Sequence, residues 1–262
     1  MIILIFVICF IASALGAIAG FGGGVIIKPV LDLIGILPVS TVSFLSGCTA
    51  FTMAITSLIR SRGNEIKLEI GTSTPLAIGA VFGGSIGKAL LEIVRINFYS
   101  ENVLGLIQAV FLLAITLFVF FYICKKDNLK SLNIKNIFVC FIIGTLLGII
   151  SSFLGIGGGT SNIAILFFFF SMDAKTAAKN SLYIIMFSQA ASIISSLISN
   201  TVPIFELTTL ISMICGGISG AIIGAFLSEK MESKMVENLL KALLIIIICT
   251  NAYNVISYGL RV

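Results

Sequence analysis

Long apolar runs separated by short polar connectors fill the chain. Eight runs cover residues 2–20, 39–60, 72–94, 103–124, 136–154, 176–198, 207–227 and 239–257. Each comes close to or exceeds the roughly 20 residues a helix needs to cross hydrocarbon. Two shorter runs, 23–37 and 158–171, open on glycine triplets. The runs are continuous and do not alternate with period two, so helices are expected and barrel strands are not. The pattern predicts an all-α polytopic membrane protein with one membrane domain over 1–262.

The pattern also repeats itself. Gly20-Phe21-Gly22-Gly23-Gly24 recurs 135 residues later as Gly155-Ile156-Gly157-Gly158-Gly159. At the same offset Thr41 meets Thr176 and Ser46 meets Ser181. Gly79, Gly83 and Gly87 match Gly216, Gly220 and Gly224 at an offset of 137. Two halves of one domain follow, residues 1–124 and 136–262, joined by the polar linker 125–135. The first run, 2–20, resembles a signal peptide, but no basic residue precedes it and it has a partner in 136–154. It is therefore expected to be retained. Glycines spaced by four put a smooth stripe on a helix, which suits close packing of membrane helices.

Charge decides how the halves are arranged. If all eight long runs cross and the short ones do not, basic residues divide almost evenly between the two sides, against the positive-inside rule. If each run before a triplet forms a hairpin with the short run after it, three further crossings remain per half, and the second half is inverted. Loops 60–71, 125–135, 172–179 and 228–241 then share one side with twelve lysines and arginines, and the other side keeps only Arg95 and Arg261. Two inverted repeats are expected, each a glycine-broken helical hairpin plus three transmembrane helices. The basic loops should face the cytoplasm, with both termini outside a cell membrane.

Composition narrows the function. Hydrophobic residues make up 58% of the chain and charged ones 10%, against about 25% charged in soluble domains. The net charge of +5 lies mostly in short loops, so no nucleic-acid partner is expected. The chain has no histidine, so any proton route must use Asp32, another carboxylate or the substrate's own ionisation. Six scattered cysteines suggest buried apolar side chains and not a metal or disulfide framework. No catalytic constellation, metal spacing or phosphate loop is present, so neither an enzyme nor a cofactor is expected.

The triplets carry the candidate chemistry. Three glycines break a membrane helix and bare its backbone, which hydrocarbon tolerates only against protein or a watery cavity. A helix starting there aims its first N–H groups and positive dipole end at that cavity, a setting that suits an anion. Such ends near the midplane are a known transporter layout. The alternative is that the glycines only allow close packing. Candidate substrate ligands are Gly22, Gly23, Gly24, Gly157, Gly158 and Gly159. The next turns add Lys28 in one half and Thr160, Ser161 and Asn162 in the other. Ser46 and Thr49, with Asn180, Ser181 and Gln189, are polar groups on apolar helices. Serine and threonine can also bond their own helix backbone. Lys28 opposes the local helix dipole and is costly in lipid. An anion would account for it, as would a pair with Asp32, four residues on, or snorkelling to the interface, and the anion and the local partner can hold together.

The string Gly20-Phe21-Gly22-Gly23-Gly24-Val25-Ile26-Ile27-Lys28-Pro29-Val30-Leu31 resembles the signature of the sulfite exporter TauE/SafE family. Gly155–Gly159 and Ala178-Lys179-Asn180-Ser181-Leu182 resemble its second-half elements. Asn180 stands where threonine is usual, and Ala164 where the family's second proline would be. The resemblance implies two glycine-broken halves and movement of a small sulfur-containing anion such as sulfite or a sulfonate. A secondary transporter working by alternating access is therefore expected. An anion channel and a non-transporting membrane scaffold are the alternatives.

Overall fold

The computed structural model describes residues 1–61, 68–98, 100–125, 132–134, 136–156 and 158–261. The connector lysines and arginines at 62, 67, 126, 130 and 135 lie outside them. Among the described residues there are ten helices and no strand. They are α1 (Ile2–Ala19), α2 (Gly24–Ile34), α3 (Val39–Arg60), α4 (Ile70–Phe98), α5 (Glu101–Lys125), α6 (Ile137–Leu154), α7 (Gly159–Phe170), α8 (Ala174–Ile198), α9 (Leu207–Lys230) and α10 (Ser233–Gly259). Eight are long and apolar enough to cross a membrane. The other two, α2 with 11 residues and α7 with 12, reach only about 16–18 Å at 1.5 Å per residue. The apolar runs located every helix. The main difference is α10, which starts six residues before its apolar run. Its first turns carry Lys234, Glu237 and Lys241, with Glu237 and Lys241 paired at 2.9 Å, so this part of the helix is polar and hydropathy passes over it.

Each triplet turns the chain back on itself. Gly23 lies against Ser13 of α1, and Gly158 against Ser151 of α6. Ile27 and Leu31 of α2 share a buried cluster with Ile5, Cys9 and Ala12 of α1. The loops gather at two ends of the bundle. At one end Lys179 Nζ donates to the Ser61 carbonyl at 2.9 Å, Lys175 Nζ to the Glu229 carbonyl at 3.4 Å, and Leu132 N–H to the Phe168 carbonyl at 2.9 Å. At the other, Ser40 Oγ donates to Glu101 at 2.7 Å, Ser212 Oγ to the Ile2 carbonyl at 3.2 Å, and Asn102 to the Arg261 carbonyl at 3.4 Å.

The glycine stripes hold the closest helix pairs. A Cβ on Gly79, Gly83 or Gly87 would strike the carbonyls of Phe141, Thr145 and Ile149 on α6. One on Gly216, Gly220 or Gly224 would strike those of Phe6, Phe10 and Ala14 on α1. Both pairs run parallel, since the contacts climb together along each chain segment. They are the same pairing with the halves exchanged: α4 on α6, and α9 on α1. The long helices α3 and α8 pack on each other between them.

Asp173 ties the starts of two helices together at the lysine-rich end. Its carboxylate accepts from the Thr176 N–H at 3.2 Å, capping α8, and from Ser233 Oγ at 2.6 Å at the start of α10. Burial raises its pKa, but the hydrogen bonds from Ser233 and Thr176 outweigh burial and hold it below the usual aspartate value. A carboxylate depressed by folding stabilises above its unfolded pKa and loses that contribution as pH falls through the folded value. Asp173→Ala should therefore cost about 1 kcal/mol, the usual worth of an N-cap. The gap from wild type, read by thermal unfolding in detergent, should close in acid.

Candidate functional site

The site forms where two broken helices end and two short ones begin. Helix α1 stops at Gly20, with φ 76°, and α6 stops at Gly155, with φ 64°. Left-handed backbone of this kind is the ordinary helix terminator, and glycine adopts it without strain. The chain passes through Phe21 or Ile156, both buried, and restarts as α2 on Gly24 or α7 on Gly159. Gly22 and Gly158 also have φ of 68°. Gly157 lies outside the described residues.

The two breaks touch backbone to backbone. A Cβ on Gly24 would sit 2.6 Å from the Ile156 carbonyl oxygen, and one on Gly159 would overlap the Phe21 carbonyl. Each break is also clamped by a serine of the other half. Ser46 Oγ donates to the Gly155 carbonyl at 2.6 Å, and Ser181 Oγ to the Gly20 carbonyl at 2.7 Å. These serines therefore sit at the breaks. Their hydroxyl protons satisfy helix-end carbonyls, so in this conformation neither is offered to an anion.

The other candidates divide by partner. Thr49 Oγ1 donates to the Leu45 carbonyl of its own helix at 2.9 Å, and its methyl group faces Gly217. Asn180 leaves the breaks and caps α4: its Oδ1 accepts from Ser73 Oγ and from the Glu69 N–H at 3.0 Å, while Nδ2 donates to the Thr176 carbonyl at 2.7 Å. Ser161 Oγ donates to the Gly158 carbonyl at 2.8 Å. Gln189 Nε2 reaches Ser151 Oγ at 3.0 Å, joined by Ser188 Oγ at 3.2 Å, and Gln189 Oε1 lies over Gly47. Thr160 Oγ1 and Asn162 Oδ1, in the first turn of α7, are buried without a hydrogen-bond partner.

Lys28 pairs with Asp32, one of its expected partners. Its ammonium meets Asp32 at 2.7 Å, with side chains 2% and 7% exposed. The pair is within α2 and one turn beyond its start, beside Asn254 of α10, which donates to the Pro29 carbonyl at 2.9 Å. Lys28→Ala would strand a buried aspartate, a change that costs about 3–5 kcal/mol. Removing both partners should cost less. Thermal unfolding of Lys28→Ala against the double variant with Asp32→Ala measures the difference.

Several residues were not legible as candidates. Ser13, against Gly23, and Ser152, just before the second break, have buried hydroxyls without partners. Ser151 and Ser152 are adjacent polar residues at the end of an apolar run, and that position was a usable signal. Met53 had none, because hydropathy scores a thioether as apolar. Yet its Sδ accepts the Gly23 N–H at 3.0 Å, and sulfur is a weak acceptor that an oxyanion could replace.

The N-terminal ends of α2 and α7 meet where the breaks cross, and each brings first-turn N–H groups and the positive end of a helix dipole. Unpartnered hydroxyls of Ser13, Ser152 and Thr160 add neutral donors. Among the described residues no cluster of three or more His, Cys, Asp or Glu could hold a metal. A groove of about 460 Å³ between α5 and α7 is lined by Phe118, Phe121, Phe168 and Phe169 with Lys125 at its rim, away from the breaks. Its aromatic walls offer an anion no ring of donors.

The family model described as sulfite exporter TauE/SafE matches residues 5–251. A curated protein of Methanocaldococcus jannaschii, named as a probable membrane transporter protein, is 27% identical over 208 residues, 76% of this chain and 73% of that protein. No solved structure matches the chain. With the match covering both breaks and all but the ends of the helical bundle, the chain belongs to the sulfite exporter TauE/SafE family of membrane transporters.

Proposed function

We propose that the protein is a secondary transporter that exports a small sulfur oxyanion, sulfite or a sulfonate, by alternating access between two inverted halves. It is not an enzyme and uses no cofactor. The observation that carries this reading is the crossing of the two glycine breaks. It joins two helix N-termini to buried hydroxyls that lack partners. A sulfur oxyanion brings three acceptor oxygens and matches a site made of donors. Lys28 is neutralised by Asp32, so the helix ends supply the attraction and the lysine acts at most through its surroundings. The first ligands are the N–H groups of Gly22–Gly24 and Gly157–Gly159 and the unpartnered Thr160 hydroxyl; Asn162 would present its amide N–H₂ group, and Ser161 would first have to release the Gly158 carbonyl. Ser46 and Ser181 hold the breaks, and Gln189 orients Ser151 beside them.

Inversion is supported by the two hairpins and by the exchange of helix pairs between α1–α5 and α6–α10. The lysine-rich end faces the cytoplasm by the positive-inside rule, and both termini lie outside. The test is thermal stabilisation of purified protein by sulfite, thiosulfate, sulfate, methanesulfonate and acetate. A ligand of the folded state raises apparent stability with concentration. Stabilisation by sulfite or the sulfonate above acetate supports the reading, and equal curves for all five salts overturn it.

A further inference from the structure

We infer that two narrow pockets, related by the internal repeat, are the two mouths of one anion route. Each is closed at its floor by one of the serine clamps. The inference rests on the transport reading above and adds the path to it.

The pockets lie at opposite ends of the same helix pair. One is lined by Ser43 and Gly47 near the start of α3 and by Ser192 and Ser196 near the end of α8. The other is lined by Ser57 and Ser61 at the end of α3 and by Lys175 and Lys179 at the start of α8. Ser43 and Ser57 are 14 residues apart on α3, about 21 Å along a helix. Since α3 and α8 both cross the membrane, the pockets open toward opposite sides.

They are also copies of one another. Ser57 and Ser192, Ser61 and Ser196, and Ala17 and Ser152 are each separated by 135 residues, the offset of the glycine breaks, and each pair contributes one member to each pocket. Two unrelated packing voids would not share a repeat offset.

Both floors are the breaks themselves. Gly155 lines the first pocket, where Ser46 grips its carbonyl at 2.6 Å. Ala178 lines the second and lies against Gly20, whose carbonyl Ser181 grips at 2.7 Å. Space open to the centre of a water molecule is about 10 Å³ in the first pocket and about 30 Å³ in the second. Each holds about one water and neither admits an oxyanion. Both mouths are therefore shut in this conformation, and releasing one clamp at a time would open the crossing to one side.

Each mouth carries positive charge. The first has Lys88, buried in α4; Glu92 pairs with it at 2.9 Å and with Arg95 at 3.6 Å, so the three side chains leave one net positive charge. The second has Lys175 and Lys179, with Glu229 beside them. Lys88 sits within an apolar helix, a costly position for a lysine. Glu92 offsets that cost within the helix, and the surplus positive charge of the cluster is what an approaching anion meets.

The test uses a chain whose six cysteines are replaced, carrying Ser57→Cys or Ser192→Cys. Membrane vesicles of both orientations are treated with two impermeant thiol reagents of the same methanethiosulfonate chemistry, one bearing a sulfonate and the other a quaternary ammonium. Rates are normalised to those with a free thiol. Ser192→Cys should react from one side only and Ser57→Cys from the other, with the sulfonate reagent at least tenfold faster at both. Reaction of both cysteines from the same side, or of neither from any side, overturns the two mouths and makes the pockets packing voids, whatever the stabilisation assay shows. Reaction from opposite sides with no preference for the sulfonate overturns anion selectivity, and with it the proposed function, while the mouths stand.

Discussion

Gly159→Ala should abolish folded protein. The added methyl group would overlap the Phe21 carbonyl, with the Phe21 carbonyl carbon and Cα close behind. Overpacking a core side chain costs about 1–3 kcal/mol because neighbours can rotate away. Here the neighbour is backbone, fixed in a break that Ser181 clamps at Gly20, so the cost should exceed that range. Gly71→Ala is the control. Gly71 lies in the first turn of α4 with nothing within 4 Å of an added Cβ. There alanine should be neutral or stabilise by about 0.5–1 kcal/mol through helix propensity. Size-exclusion profiles of the two variants in detergent decide the matter: equal folded yield would mean the breaks do not cross.

Gly220→Leu should be nearly as damaging, for a reason spread along two helices. Gly220 faces the Phe10 carbonyl, flanked by Gly216 against Phe6 and Gly224 against Ala14. A leucine in the middle of this stripe would push α1 away from α9 and release all three contacts. Lipid gives helices no hydrophobic reason to stay together, so close packing is the main force that the change removes. Gly83→Leu should do the same to α4 and α6, because Gly83 faces the Thr145 carbonyl in the exchanged pair. Matching losses of folded yield in the two variants are expected. Wild-type yield in either would mean that its stripe faces lipid.

How far the sequence could be read follows from what each feature costs in lipid. An unpaired backbone group is so costly in hydrocarbon that a crossing segment must be a helix or a strand of a closed barrel, and the continuous apolar runs leave only helices. Apolar runs therefore mark the helices closely, and the duplicated triplets mark the breaks. The stripes at Gly79–Gly87 and Gly216–Gly224 were legible as packing faces because only small residues let backbones approach. Which helix each stripe meets was not, since α4 on α6 and α9 on α1 are pairings between halves that no local pattern encodes. The same limit applied at the site. Ser46 and Ser181 were legible as paired polar residues, but their partners lie 109 and 161 residues away. Asn180 looked like Ser181 in sequence, yet it serves the start of α4. Lys28 fitted an anion, Asp32 or both by spacing alone, and the structure shows the pair with Asp32.

Counterflow tests the central claim most directly. Proteoliposomes loaded with unlabelled sulfite under anaerobic buffer are diluted into radiolabelled sulfite, and a second set uses methanesulfonate. The account predicts transient accumulation of label above its equilibrium level, with an initial rate that saturates, for at least one of the two anions. Label that enters without overshoot and in proportion to concentration would make the protein a channel. Entry no faster than in protein-free liposomes for either anion would contradict transport of these compounds altogether.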